Sequence, residues 1–396
     1  MNALEGLRVL DLGTFIAGPF CATVLGEFGA EVIKVEPPQA GDALRRFGTD
    51  TECGDTLVWL SESRNKKCVT LDLRTAPGID LLQRLAAKCD VIVENFRPGV
   101  LEKWGLGYDA LKKINPRAVL VRISGYGQDG PYRDRPGFAR VAHAFSGLAF
   151  LSGEPGRTPV VPGSTSLADY MSGLYGAFGA MVALRARERT GEGQCVDLAL
   201  YEPVFRVLDE IVPAFEKFGF VRERMGADTV NVCPHSHYQT RDGKWIAIAC
   251  TDDRIFARLA TVMDQPALAD AQHFGPKDKR LAARDEVNRL VAQWVGSLEC
   301  EQVLARCNGG GVPAGRIYSI ADIFDDPHYR ARGNIGTHDS RAGPIAVPEV
   351  LPKLLATPGE IKWLGQALGA QNEEIFCGLV GLTSAELDAL RAQGVI

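Results

Sequence analysis

From residue 7 to residue 125 the chain repeats one pattern, a short β-branched run followed by a helical stretch that closes at Gly or Pro. "LRVLDLG", "AEVIKVE", "KCVTLDL", "CDVIVEN" and "RAVLVRISGYG" read as strands, and "GPFCATVLGEFG", "APGIDLLQRLAAK" and "YDALKKINP" as the helices between them. Strands that alternate with helices in this way predict a doubly wound α/β domain.

Further on, apolar positions Leu167, Tyr170, Met171, Leu174, Phe178, Met181 and Val182 predict a buried helix from about 167 to 187. "GEGQCVDLAL" reads as another buried strand, and residues 201 to about 225 as one long helix. "DGKWIAIAC" opens a second α+β region that closes near "GVPAGRIYSI". Beyond Asp325 the chain is loop and extended segment, with "GPIAVPEVLPKL" the clearest, until Thr383 and Glu386 form a capping box before "LDALRAQ".

With 396 residues and 46% apolar composition, the chain has material for roughly two domains. Its net charge of −5 gives no general attraction for nucleic acid or an anionic membrane, so an anionic ligand must be held by local groups. Ten scattered cysteines without a CxxC pair predict reduced thiols in a cytoplasmic protein, with neither a disulfide framework nor a zinc site. "MNALEGLRVLDLG" lacks the pattern of a secretory signal, and the most apolar segment, 171–184, falls short of the roughly 20 residues that span a bilayer.

Two local features invite a chemical reading. The turn Gly13-Thr14-Phe15-Ile16-Ala17-Gly18 follows the first strand where dinucleotide-binding folds hold a pyrophosphate, but it lacks G-x-G-x-x-G, and ordinary turn punctuation explains the glycines equally well. A nucleotide-binding oxidoreductase is disfavoured on that ground. The stretch "GSTSLADYMSGLYGAFGAM" carries a single charge, Asp169, placed by the predicted helix start in its first turn. Unpaired N–H groups there favour an acid, so the local sequence allows either a helix N-terminal carboxylate or a reactive one. Gly173 and Gly176, one and two turns on, would leave room beside it for a substrate.

The chain resembles the class III CoA-transferases, a family that includes formyl-CoA, carnitine and bile-acid CoA-transferases and α-methylacyl-CoA racemase. The resemblance runs through "LEGLRVLDL" (4–12, the pattern L-x-G-x-R-V-L-D-L) with "AGP" at 17–19, "GAEVIKVE", "NKKCVTLDLR" (65–74), "DVIVENFRPGVLEKWGLGYDAL" (90–111), "NPRAVLVRISGYGQDGPY" (115–132), the Asp169 segment and "RTGEGQCVDLALYE" (189–202). It implies a Rossmann-like large domain built from both chain ends (1–225 and 326–396), a smaller inserted α+β domain (226–325), and two subunits interlocked as a homodimer.

By that resemblance Asp169 is the nucleophile that carries CoA as an aspartyl thioester. Thr14, Phe15, Ile16, Ala17, Lys66, Asn95, Phe96, Arg97 and Leu101 match CoA-binding segments, and CoA and acyl-CoA are substrates, with no permanently bound cofactor and no metal. Pro37 and Pro38 stand where relatives place a basic residue, leaving Arg46, Lys67 or Arg97 as alternative phosphate contacts, each equally readable as a solvated surface charge. Racemases pair their aspartate with the histidine of a "GHD"-like motif. Here "RPGFARVAHAFSG" places Phe138 there, and His143, five residues on, reads as structural.

Oxalate-handling relatives carry four glycines after the long helix, whereas this chain has "GADTVNVCPHSHYQTRDGKW". His235 and His237 then read either as a polar wall for the acid's distal group or as a structural loop. The expected activity is CoA transfer from an acyl-CoA such as succinyl-CoA to a small dicarboxylic or branched acid such as malate, citramalate, itaconate, mesaconate or glutarate. The alternatives are a racemase, intramolecular transfer within a dicarboxylyl-CoA such as mesaconyl-CoA, and a non-catalytic CoA-binding protein.

Overall fold

The computed structural model describes residues 2–396. The chain divides into two compact units, the first taking residues up to Leu148, Gly163–Asp209 and Tyr329–Ile396, the second Ala149–Pro162 and Glu210–His328.

The first unit is built on six parallel strands: β1 (Arg8–Asp11), β2 (Glu31–Glu36), β3 (Lys66–Thr70), β4 (Val91–Glu94), β5 (Val119–Ser124) and β6 (Cys195–Ala199), in the order β3-β2-β1-β4-β5-β6. The crossover helices are α1 (Ala17–Glu27), α2 (Ala76–Ala86), α3 (Tyr108–Ile114), α4 (Ala139–Phe145) and α5 (Leu167–Thr190). Successive strand residues face opposite ways, so each apolar run feeds two cores. Val9, Val32, Val91 and Val119 pack with Ala22 and Leu25 of α1 and Ala177 and Ala180 of α5. Leu10, Ile33, Ile92 and Leu120 pack with Leu81, Leu82 and Leu85 of α2 and Leu111 of α3.

The chain's end completes this second face. Ile375 and Phe376 from the π-helical segment Glu374–Val380, and Leu387 from the helix Ser384–Ala392, join the α2 and α3 core. Thr383 caps that last helix in the expected box with Glu386. β6 is an edge strand, and it is half-buried where the sequence suggested full burial.

In the second unit β7 (His235–Gln239), β8 (Trp245–Ala249) and β9 (Ala314–Arg316) form an antiparallel sheet around a core that includes Tyr238, Ile246, Ile248, Phe256, Leu259, Val291 and Val303. A hairpin of β10 (Ile335–Ser340) and β11 (Gly343–Pro348) belongs to the first unit. The long helix expected from 201 to 225 is instead two short ones, Glu202–Arg206 and Ile211–Phe218, because Asp209 between them takes a left-handed conformation (φ 53°) and Gly219 ends the second. Residues 210–225 fall in the second unit, where Arg224 donates to the Phe150 carbonyl and Gly226 N–H to that of Gly153.

Candidate active site

In a 3-2-1-4-5-6 sheet the order in which strands are added reverses between β1 and β4, and the loops leaving the carboxyl ends of those two parallel strands flank the crevice where such folds bind ligands. Side chains hold the loop after β1 along its whole length. Asp11, fully buried, accepts from Gly13 N–H at 3.0 Å and from Lys66 Nζ at 2.8 Å, and Lys66 also donates to the Pro19 carbonyl at 2.7 Å. Lys34 Nζ pairs with Asp42 at 2.8 Å and donates to the Gly13 carbonyl. Asp42 accepts from Phe15 N–H at 3.0 Å and from Leu44 N–H at 2.9 Å. Asn95, just past β4, accepts from Thr14 N–H at 2.7 Å and donates to the Thr14 carbonyl at 2.8 Å.

Burial by itself would raise the Asp42 carboxyl, but Lys34 and the two N–H groups hold it below the ordinary value. Lys34 would be lowered by burial and is instead raised by Asp11, Asp42 and Glu36, so both partners stay charged. Glu36 in turn receives Arg45 bidentately at 2.7 and 2.8 Å, with the guanidinium stacked 3.7 Å over the Trp59 ring. Within these bonds Phe15 sits at φ 60°, an arrangement that a non-glycine residue holds only when its surroundings over-determine it. Gly13 and Gly18 have a packing reason: a Cβ would stand 3.1 Å from Asn95 Oδ1 at the first and 3.2 Å from Asn95 Cγ at the second.

Beside this loop, at the carboxyl ends of β1 to β4, lies a cavity of about 540 Å3 lined by Thr14, Phe96, Trp104, Arg74 and residues 36–40 among others. Phe96 and Trp104 meet edge to face at 5.0 Å. Of the residues the sequence offered for CoA, Thr14 and Phe96 line this cavity, and Arg97 is exposed on the loop after β4. Ile16, Ala17 and Leu101 are buried apolar residues. Lys66 is fully buried against Asp11, and Asn95 is the clamp on Thr14, so the side-chain bonds of these two shape the loop.

Among the alternative phosphate contacts, Lys67 is paired with Glu31 and Glu374. Arg46 is exposed and donates to the Ala40 carbonyl. The cation that lines the cavity is Arg74, paired with Asp72 at 2.8 Å and exposed. It closes the motif "NKKCVTLDLR", and its place just past the carboxyl end of β3 was the signal that could have found it.

Asp169 occupies the first turn of α5, its N–H bonded to the Ser166 carbonyl at 2.9 Å. Its half-buried carboxylate makes no ion pair or hydrogen bond with any described residue, and burial alone pushes it up to about 6. Gly173 and Gly176 do not open space for a ligand. A Cβ on Gly173 would lie 2.8 Å from the Ala17 carbonyl, and one on Gly176 3.1 Å from Ile123 Cδ1 and 3.2 Å from Cys21 Sγ. These glycines let α5 lie directly on α1 and β5, which sets the turn bearing Asp169 beside the helix that opens from the Gly13–Ile16 loop. Phe138 is an exposed phenyl group whose ring meets that of Phe15 at 6.4 Å.

Residues 4–372 match the CoA-transferase family III. The chain belongs to this family. It is 54% identical to the succinyl-CoA–L-malate CoA-transferase beta subunit of Chloroflexus aurantiacus, over 99% of this chain and 98% of that one. It is 44% identical to the succinyl-CoA–D-citramalate CoA-transferase of the same organism, over 99% and 98% respectively. A crystal structure of a CaiB/BaiF family protein from Brucella suis superposes with a TM-score of 0.83 at 34% identity, covering 98% of this chain and all of that one. This family III CoA-transferase therefore places a desolvated, unpaired carboxylate on a helix packed against its β1 loop. Its described residues include no group of three metal-ligating side chains and no helix long and apolar enough to cross a membrane. His235 and His237 share one face of β7 in the second unit, the first half-buried and the second exposed.

Proposed function

We propose that this transferase moves CoA from succinyl-CoA to a four- or five-carbon hydroxy dicarboxylate of the malate and citramalate type, with Asp169 as nucleophile. The observation that carries the reading is the state of Asp169: a carboxylate desolvated by burial, without a cation to quench it, yet ionised at neutral pH. An Asp169 oxygen attacks the succinyl thioester carbonyl, the C–S bond breaks, and a mixed anhydride and CoA thiolate result. The thiolate attacks the Asp169 carbonyl carbon, releasing succinate and leaving aspartyl-CoA. The acceptor's carboxylate expels the thiolate again to form a second anhydride, and the thiolate then takes the acceptor's acyl group and frees Asp169. Partial burial protects both anhydrides from water.

The cavity with Thr14, Phe96, Trp104 and Arg74 would hold the nucleotide part of CoA, Arg74 supplying a charge for a phosphate. Names of relatives 54% and 44% identical support the acid class. A racemase is the weaker reading, since Phe138 cannot carry a proton and the Nε2 of His143 already accepts from Ala168 N–H. Ten free cysteines support a reducing, cytoplasmic setting.

We extend the proposal to assembly as an interlocked homodimer. Leu174, Phe178 and Val182 form an apolar stripe along α5 that one chain leaves exposed, and burial against a second copy would remove it from water. Sedimentation at micromolar concentration should give about twice 42.8 kDa. A monomer would refute the assembly, and activity appearing only with a second, related chain would replace it by a heteromer.

Purified protein incubated with succinyl-CoA and a panel of carboxylic acids, followed by mass spectrometry, should yield malyl- or citramalyl-CoA and succinate. Hydroxylamine or borohydride should modify Asp169 alone when succinyl-CoA is present. Turnover by Asp169→Ala, or exchange only with formyl-CoA and oxalate, would defeat the proposal.

A further inference from the structure

α5 begins without a cap of its own. Ser166 stands at the N-cap position, but its side chain makes no capping bond, so the first N–H groups of the helix need other partners. Ala168 is fully buried, and its N–H points to the Nε2 of His143 on α4, 3.0 Å away. An imidazole from a different helix thus occupies the place that a Ser or Asp side chain ordinarily fills, one residue before Asp169.

To accept this bond, Nε2 must keep its lone pair, so the ring is neutral with its proton on Nδ1. No described residue bonds Nδ1, so Ala168 alone sets the tautomer. Three circumstances keep the ring neutral: burial, the positive charge of Arg140 three residues earlier on α4, and the N–H of Ala168, which an imidazolium would oppose donor to donor. Asp169 is the acidic group nearest in sequence to that bond, and its carboxylate is not bonded to the ring. Because Nε2 is engaged, His143 cannot also exchange a proton with substrate.

We infer that His143 is the positioning residue of the transferase: its neutral imidazole caps α5 from outside and fixes the turn that aims the Asp169 carboxylate. This rests on Asp169 being the nucleophile. Attack on a thioester demands an oxygen held within a fraction of an ångström of its reactive geometry, and a fraying first turn would lose that hold. His143 would act through the backbone of Ala168, not through the substrate.

Two substitutions separate the acceptor from the bulk. His143→Leu keeps an apolar side chain and removes the acceptor, while His143→Gln puts an amide oxygen near the position of Nε2. In the Leu variant, kcat and the rate of borohydride-trapped aspartyl intermediate should fall together by about tenfold or more, with KM for succinyl-CoA nearly unchanged. The Gln variant should recover most of both rates. In the wild type carrying 15N-labelled histidine, NMR at neutral pH should show His143 protonated on Nδ1 and unprotonated on Nε2. A proton on Nε2, a Gln variant as slow as the Leu variant, or a Leu variant trapped at the wild-type rate would each overturn the inference. If the Leu variant does not fold, the Gln variant and the nitrogen spectrum still decide. Wild type that traps no Asp169 adduct would indict the nucleophile assignment itself, while the nitrogen spectrum would still report the cap.

Discussion

Asn95 grips Thr14 by both of its backbone polar groups, at 2.7 Å to the N–H and 2.8 Å to the carbonyl, and so ties the loop after β4 to the loop after β1 across the point where the strand order reverses. Asn95→Leu should unpair both groups, destabilise the fold by about 1–3 kcal/mol, and raise KM for succinyl-CoA about tenfold or more. Asn95→Asp keeps only the acceptor and should fall between the two. Urea unfolding and steady-state kinetics on the three proteins check this; unchanged KM in the Leu variant would mean that the loop does not meet CoA.

The pH dependence follows from Asp169. Only the carboxylate form attacks, and burial raises its pKa to about 6, so kcat/KM for succinyl-CoA should rise through pH 6 to a plateau and fall about tenfold per unit below it. A limb centred near 4 in the rate profile would show the carboxylate to be solvated.

The same shift makes a stability prediction of opposite sense. Because the folded-state value lies above the unfolded one, the folded state holds the proton more tightly. This group's contribution is therefore fully present below the unfolded value near 4 and is lost as the pH rises through 6. Asp169→Asn should thus stabilise the protein by about 1–2 kcal/mol at pH 7.5, allowing for the partial solvent contact, while abolishing transfer. Denaturant midpoints of both proteins should converge as the pH approaches 4.

Gly173 tests the helix contact. A methyl group there would press on the Ala17 carbonyl at 2.8 Å and on Phe20 at 2.9 Å, so Gly173→Ala should cost about 1–3 kcal/mol and reduce kcat by shifting the Asp169 turn. Gly309→Ala, where nothing lies within 4 Å, is the control and should be neutral or slightly stabilising.

The sequence offers His235 and His237 either as a polar wall for the acceptor's distal group or as a structural loop, and substitution decides between the two. His235→Ala with His237→Ala should raise KM for malate by roughly ten- to a hundredfold, the loss of a hydrogen bond to a charged group, while trapping of the aspartyl intermediate from succinyl-CoA continues. An unchanged acceptor KM would return both residues to a structural role.

The strand runs from "LRVLDLG" to "RAVLVRISGYG", the start of α5 at Leu167 and the Thr383–Glu386 cap could all be read from the linear chain, because each depends on neighbours a few residues apart. Asp169 also stood out locally, as a lone charge in an apolar helix, although its role came from the family resemblance.

The duties of individual side chains were another matter. Lys66 lies in a segment that resembles a CoA-binding one, and nothing in that segment announces that its side chain is buried on Asp11, 55 residues away. Gly173 and Gly176 looked like space for substrate and are where α5 meets α1 and β5. His143 shows no sequence signal of its bond to Ala168, and nothing near 210 announced that the chain passes there into the second unit. Periodicity reports only which face of an element avoids water. Which group meets that face is set when segments tens or hundreds of residues apart pack together, and each buried charge and orphaned N–H must then find its partner at that junction.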